Sequence, residues 1–144
     1  MKVSYKYDDN GFAQSIRKVR DEQEQMIKKE IDVAARNTSR GAKSFAPVDH
    51  GRLKNSIRAK VSGMTGEIVA SANYAPYVEF GTGLLVNVPG ELSEYAMQFK
   101  GKGIRQVNTP SQPYLYPAFF INRKKLTDEI DRKMRDIFSK HSRR

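Results

Sequence analysis

Cysteine is absent from the 144-residue chain. That removes disulfides, thiolate metal sites and cysteine nucleophiles at once. Histidine is scarce: His50 and His141 are the two in the chain, and they lie in dissimilar settings, so a histidine-based zinc site is not expected. No apolar run approaches the roughly 20 residues that a membrane span requires. Met1-Lys2-Val3-Ser4-Tyr5 carries no apolar stretch of the signal-peptide kind. From these absences we expect no metal, no cofactor, no membrane association, and residence in the cytoplasm of the cell that makes the protein.

What is present is charge. The chain has 26 basic and 16 acidic residues, a net charge of +10, with 38% hydrophobic residues. A surplus of that size keeps a protein soluble and draws it to polyanions. It is unevenly spread: residues 14–44 carry eight basic and five acidic side chains, residues 114–144 nine and four, and residues 45–113 seven and five. Most of the excess therefore sits on two segments that read as helices. It fits either a solvated helical face or contact with a nucleic-acid backbone. The length suits one domain, residues 1–144, with a modest core.

Asp9-Asn10-Gly11 marks a turn. From about Ala13 to Phe45 there is no proline, and Gly41 is the one glycine. Ile16, Val19, Met26, Ile27, Ile31, Ala34, Ala35, Thr38, Ala42 and Phe45 recur at helical spacing. Such a helix is roughly 45 Å long, enough to cross a sheet or to project toward a neighbour. Pro47 ends it. Ile57, Ala59 and Val61 then alternate with Arg58, Lys60 and Ser62, the signature of a half-buried strand. Gly63-Met64-Thr65-Gly66 supplies a hairpin loop, and Glu67 to Ala72 returns.

Asn73 to Gly83 is rich in aromatics and reads as a short helical turn closed by glycine. Residues 84–112 lack periodicity and are expected to form a long flexible contact loop, since loops of that length are commonly functional or disordered. Gln112 to Pro117 is extended, and Pro117 can open a last helix at its first position. Phe119, Phe120, Leu126, Ile130, Met134, Ile137 and Phe138 give that helix an apolar face. The basic tail, residues 140–144, is expected to fray. The fold class is α+β, a small antiparallel sheet flanked by a long N-terminal and a C-terminal helix. A lone hairpin is marginal, so extra strands are expected from the long loop or from another subunit.

Candidate chemistry is sparse. Gly81-Thr82-Gly83 lacks the spacing and the Lys-Ser/Thr pair of a phosphate loop. Asp49, His50 and Ser56 do not form a convergent nucleophile–base set, and a turn already accounts for Asp49 beside Gly51. Glu79, between Val78 and Phe80, should be buried and in need of a partner; an ion pair with Arg52 or Arg58 is expected. The aromatics are not interleaved with basic residues as a base-stacking platform would require, so packing or subunit contact is the simpler reading. An enzyme is not expected.

Three segments together carry a resemblance. They are Ala46-Pro47-Val48-Asp49-His50-Gly51-Arg52-Leu53-Lys54-Asn55-Ser56-Ile57, Asn73-Tyr74-Ala75-Pro76-Tyr77-Val78-Glu79-Phe80-Gly81-Thr82-Gly83, and Gln112-Pro113-Tyr114-Leu115-Tyr116-Pro117-Ala118. In this order and separation the chain resembles the "gene product ten" tail-component family of lambdoid and related siphophages, also described as neck, head–tail joining or tail-completion proteins. His50 stands where the family usually has Thr or Ser, Tyr114 where Phe is common, and Tyr116 where a basic residue often follows. The resemblance implies a structural virion protein assembled in the host cytoplasm. It implies a homo-oligomeric ring that joins the DNA-filled head to the tail. Its partners would be the head connector or adaptor and tail proteins, with transient non-specific contact with passing DNA. It also implies that Pro47, Asp49, Gly51, Leu53, Ser56, Tyr74, Ala75, Tyr77, Glu79, Phe80, Gly81, Thr82, Pro113, Tyr114, Leu115, Pro117 and Ala118 form the core or the interface. The alternative is a small basic nucleic-acid-binding accessory protein, although no helix-turn-helix is evident.

Overall fold

The computed structural model describes residues 4, 10–48, 50–83, 88–97 and 108–142. Helix α1 runs from Asn10 to Phe45. Two ion pairs four residues apart, Glu24–Lys28 at 2.5 Å and Asp32–Arg36 at 2.9 Å, lie along its exposed side. Each has its acid N-terminal to its base, the favourable sense. After Pro47 comes a short helix α2, Arg52–Ser56. Strands β1, Ile57–Ser62, and β2, Thr65–Ala70, form an antiparallel hairpin in register Ile57↔Ala70 to Ser62↔Thr65. Gly63, at φ 58°, makes its tight turn. Helix α3 spans Ala75–Phe80. A 3-10 turn, Gly90–Leu92, leads into α4, Ser93–Met97. Helix α5 spans Leu115–Ser142.

This is the α+β architecture expected. Among the described residues the sheet has two strands, and α1 lies across one face. The approach is close at Gly66, where an added Cβ would lie 3.2 Å from Ile31 Cγ2 and 3.3 Å from Ala35 Cβ. The region read as one long loop contains the helical stretch Gly90–Met97, with Ala96 buried and the Tyr95 ring edge-on to Phe80 at 6.0 Å; residues 84–87 and 98–107 of that expected loop lie outside the described residues. Helix α5 runs through Ser142, and residues 143–144 lie outside the description.

Helices α1 and α5 form an antiparallel pair. Ala118 faces Gly41, where an added Cβ would meet the Ala118 Cβ at 3.2 Å. Further along, Lys133 bonds to the buried Glu30, and Lys140 reaches Glu22 at 2.7 Å. The core lies at the Gly41 end. It is built from Ala42, Ala46, Leu53, Ile57, Ala75, Tyr114 and Ala118, and its several alanines let the backbones approach closely. Part of the expected apolar stripes faces outward, beside that centre as well as far from it. Ile16, Phe45, Phe119, Phe120 and Phe138 are all about half exposed. Val61 also stands partly exposed, because its cross-strand partner Gly66 has no side chain to cover it.

Candidate assembly site

The three sequence segments meet at the core. In the first, His50 at φ 42° and Gly51 at φ 72° are consecutive left-handed residues. They turn the chain from Pro47 into α2, and the Asn55 N–H donates to the Gly51 carbonyl at 2.9 Å. This drives Leu53 and Ile57 inward, 1% and 0% exposed. The Ser56 hydroxyl is spent on the Leu53 carbonyl, at 2.8 Å. His50 is exposed and Asp49 lies outside the described residues.

The second and third segments are stitched by backbone. The Gln112 N–H donates to the Val78 carbonyl at 2.8 Å, and the Thr82 N–H to the Thr109 carbonyl at 2.9 Å. The Thr109 N–H returns a bond to Thr82 Oγ1 at 2.9 Å. Between them, buried Gly81 adopts φ 76°, ψ −172°, a conformation open to glycine and strained for other residues. Proline at the start of α3, Pro76, costs nothing, since a first-turn N–H has no helical acceptor.

Glu79 is the centre of this junction, and its partner is not the expected one. Its side chain is buried, 5% exposed. Oε2 accepts the N–H groups of Tyr114 and Leu115, and Oε1 accepts that of Tyr116, all at 2.8 Å. These are orphan donors at the start of α5, which no helical carbonyl can satisfy. A carboxylate there satisfies three of them and meets the positive end of the helix dipole. Arg52 and Arg58, expected as ion-pair partners, are exposed and make no salt bridge with it. A carboxylate supplied by α3 thus caps a helix 35–37 residues away in sequence. Because Glu79 caps these donors, α5 opens at Leu115, and Pro117 is its third residue rather than its first.

The surroundings of Glu79 are aromatic. Tyr114, 1% exposed, has its phenol pushed above the ordinary tyrosine range, first by burial and then by the Glu79 charge; it stays neutral. The buried Tyr74 hydroxyl has no hydrogen-bond partner among the described residues. Ala75 and Ala118 are buried, and Leu115 packs against them. Tyr77 and Pro113 face outward. Both oxygens of the Glu79 carboxylate are engaged by backbone donors. Among the described residues no group of three or more acidic or histidine side chains could hold a metal ion, and no helix is long and apolar enough to cross a membrane. The site is a clamp that fixes α5 to α3 and the hairpin.

A family model described as "Bacteriophage HK97-gp10, putative tail-component" matches residues 10–81, half of the chain. The chain belongs to the HK97-gp10-like family. The matched stretch takes in α1, α2, the hairpin and α3, and it ends at the Gly81 turn. The third segment lies beyond it, held to the family region by Glu79 and by the Gln112 N–H bond to the Val78 carbonyl. As a member of the HK97-gp10-like family the protein is a structural tail component of a bacteriophage and belongs to the virion. No curated protein and no solved structure matches it.

Proposed function

We propose that the protein is the subunit of a ring at the junction of head and tail, which completes the neck, joins the DNA-filled head to the tail and lets DNA pass. Family membership carries this reading. The surface supports it. Large apolar side chains stand exposed on α3, α4 and the first turns of α5, at Tyr77, Tyr95, Met97, Phe119 and Phe120. A structural role also suits a site whose carboxylate does nothing but hold elements together. The partners are further copies of the chain, the head connector or adaptor and tail proteins, and transiently the DNA.

A nucleic-acid-binding regulator is the alternative reading. Six cations of the two long helices are engaged within the fold: Arg20 pairs with Asp21, Lys28 with Glu24, Arg36 with Asp32, Arg132 with Glu129, Lys133 with Glu30 and Lys140 with Glu22. Tight DNA binding needs many cations free to replace phosphate counterions, and a conduit works better without it. The test is electron microscopy of lysates from a phage that lacks the gene. DNA-filled heads beside finished, separate tails are expected, and adding the purified chain should join them. Intact infectious particles would reject the proposal.

A further inference from the structure

Helix α1 outreaches its partner. The α1–α5 seam runs from Gly41–Ala118 through Glu30–Lys133 to Glu22, where Lys140 and the His141 ring both bond. Helix α5 ends at Ser142, while α1 continues to Asn10. At 1.5 Å per residue, about 15 Å of helix projects past the pair. None of residues 11–20 is buried, whereas residues 30–46 hold Glu30, Ala35, Thr38, Ser39, Ala42 and Ala46 buried. The projecting arm is nonetheless amphipathic. Phe12, Ile16 and Val19, spaced by four and three, share one face, and Phe12 and Ile16 are 66% and 54% exposed. Residues 11–20 contain Arg17, Lys18 and Arg20, the last paired with Asp21, and no acidic residue.

A groove of matching character lies midway along the same helix pair. It has a volume of about 320 Å³. Val33, Ala34 and Leu126 give it an apolar floor, and Glu30, Asp128 and Glu129 supply three carboxylates against one ammonium, Lys125. Glu30 and Glu129 already meet Lys133 and Arg132; Asp128 has no ion pair among the described residues. The arm cannot reach this groove in its own molecule, because both lie on one continuous helix. Ile16 and Val33 are 17 residues apart, about 25 Å along the axis.

We infer that the arm of one copy, residues 10–20, docks in the α1–α5 groove of the next copy, apolar face down and with Arg17 and Lys18 toward Asp128. Two different patches meeting in this way form a heterologous contact, the kind that propagates and closes into a ring. The inference rests on the proposed ring and names the surface that builds it.

The absence of cysteine allows a direct test. Virions are assembled with the Ile16→Cys/Val33→Cys chain, oxidised mildly and run on a non-reducing gel. Both positions are exposed, so the core is untouched, and the two cysteines of one folded chain are too far apart to bond to each other. A ladder of disulfide-linked species beyond the dimer is expected, and none from Val33→Cys alone. Adding Asp128→Lys should lower the ladder's yield several-fold. Dimers from Ile16→Cys alone, as abundant as the ladder, would mean arm-to-arm contact and overturn the inference. Virions that contain the chain but give no ladder would overturn it and leave the ring standing. Virions that do not contain the chain would overturn the ring as well. A yield indifferent to Asp128→Lys would overturn the charge-matched groove.

Discussion

Replacing Glu79 with glutamine isolates the clamp. The side chains have the same shape, but the amide has one acceptor oxygen where the carboxylate has two. At best glutamine keeps the bonds from Tyr114 and Leu115, and its NH2 then points at the Tyr116 N–H, donor against donor. Charge-assisted hydrogen bonds are worth about 1.5–3 kcal/mol, and the lost charge at a helix N-terminus costs about 0.3–2 kcal/mol more. Because the site is buried, water does not replace the missing acceptor. We expect Glu79→Gln to cost about 2–4 kcal/mol of unfolding free energy. That is a large share of the roughly 5–15 kcal/mol typical of a domain. Glu79→Ala should cost more, since three donors are orphaned together. Arg52→Ala and Arg58→Ala, at exposed positions, should each stay within about 0.5 kcal/mol of the parent. Urea unfolding followed by far-ultraviolet circular dichroism gives all four values. A glutamine variant within about 0.5 kcal/mol of the parent would refute the clamp, and a large loss from either arginine variant would restore the ion pair.

Three further outcomes follow from the packing. Gly41→Val places two methyl groups where even a Cβ would lie 3.2 Å from Ala118, so it should cost about 1–3 kcal/mol by forcing α1 and α5 apart; unchanged thermal stability would contradict that close approach. Tyr74→Phe removes a buried hydroxyl without a partner among the described residues, so stability should hold or rise by up to about 1 kcal/mol; a loss above 1 kcal/mol by urea unfolding would mean the hydroxyl is bonded. Glu22 is held below its ordinary value of 4.5, first by the His141 ring and then by Lys140. A depressed carboxylate contributes stability that is present above its unfolded value and is lost as pH falls through the folded one, so the α1–α5 tip should loosen only under acid. A carbon-detected titration of the Glu22 carboxyl with a midpoint at or above 4.5 would contradict this.

Much of the fold was legible because its signals are local. The apolar spacing of α1, closed by Pro47, and the alternation from Ile57 around Gly63 depend on neighbours within a few residues. The last helix was legible except for its start. Pro117 looked like a first helical residue, but the N–H groups of Leu115 and Tyr116 are satisfied by a carboxylate from α3, so the helix begins two residues sooner. The same long-range bond hid the partner of Glu79, since sequence offered nearby arginines and gave no sign of a distant helix end. Gly90–Met97 escaped notice because a single helical turn is too short to show periodicity. The exposure of Ile16 was unreadable for another reason: the stripe continues along α1 after its intramolecular partner has ended. The signal that could have found it is length, 36 residues in α1 against 28 in α5.

The proposed role stands or falls with the position of this protein in the particle. Cryo-electron microscopy of intact virions tests it directly, by searching the density for the α1–α5 pair with its two-stranded hairpin. A ring of such subunits between the head and the tail is expected. The same fold found along the tail tube, at the distal tip, or nowhere in the particle would contradict it.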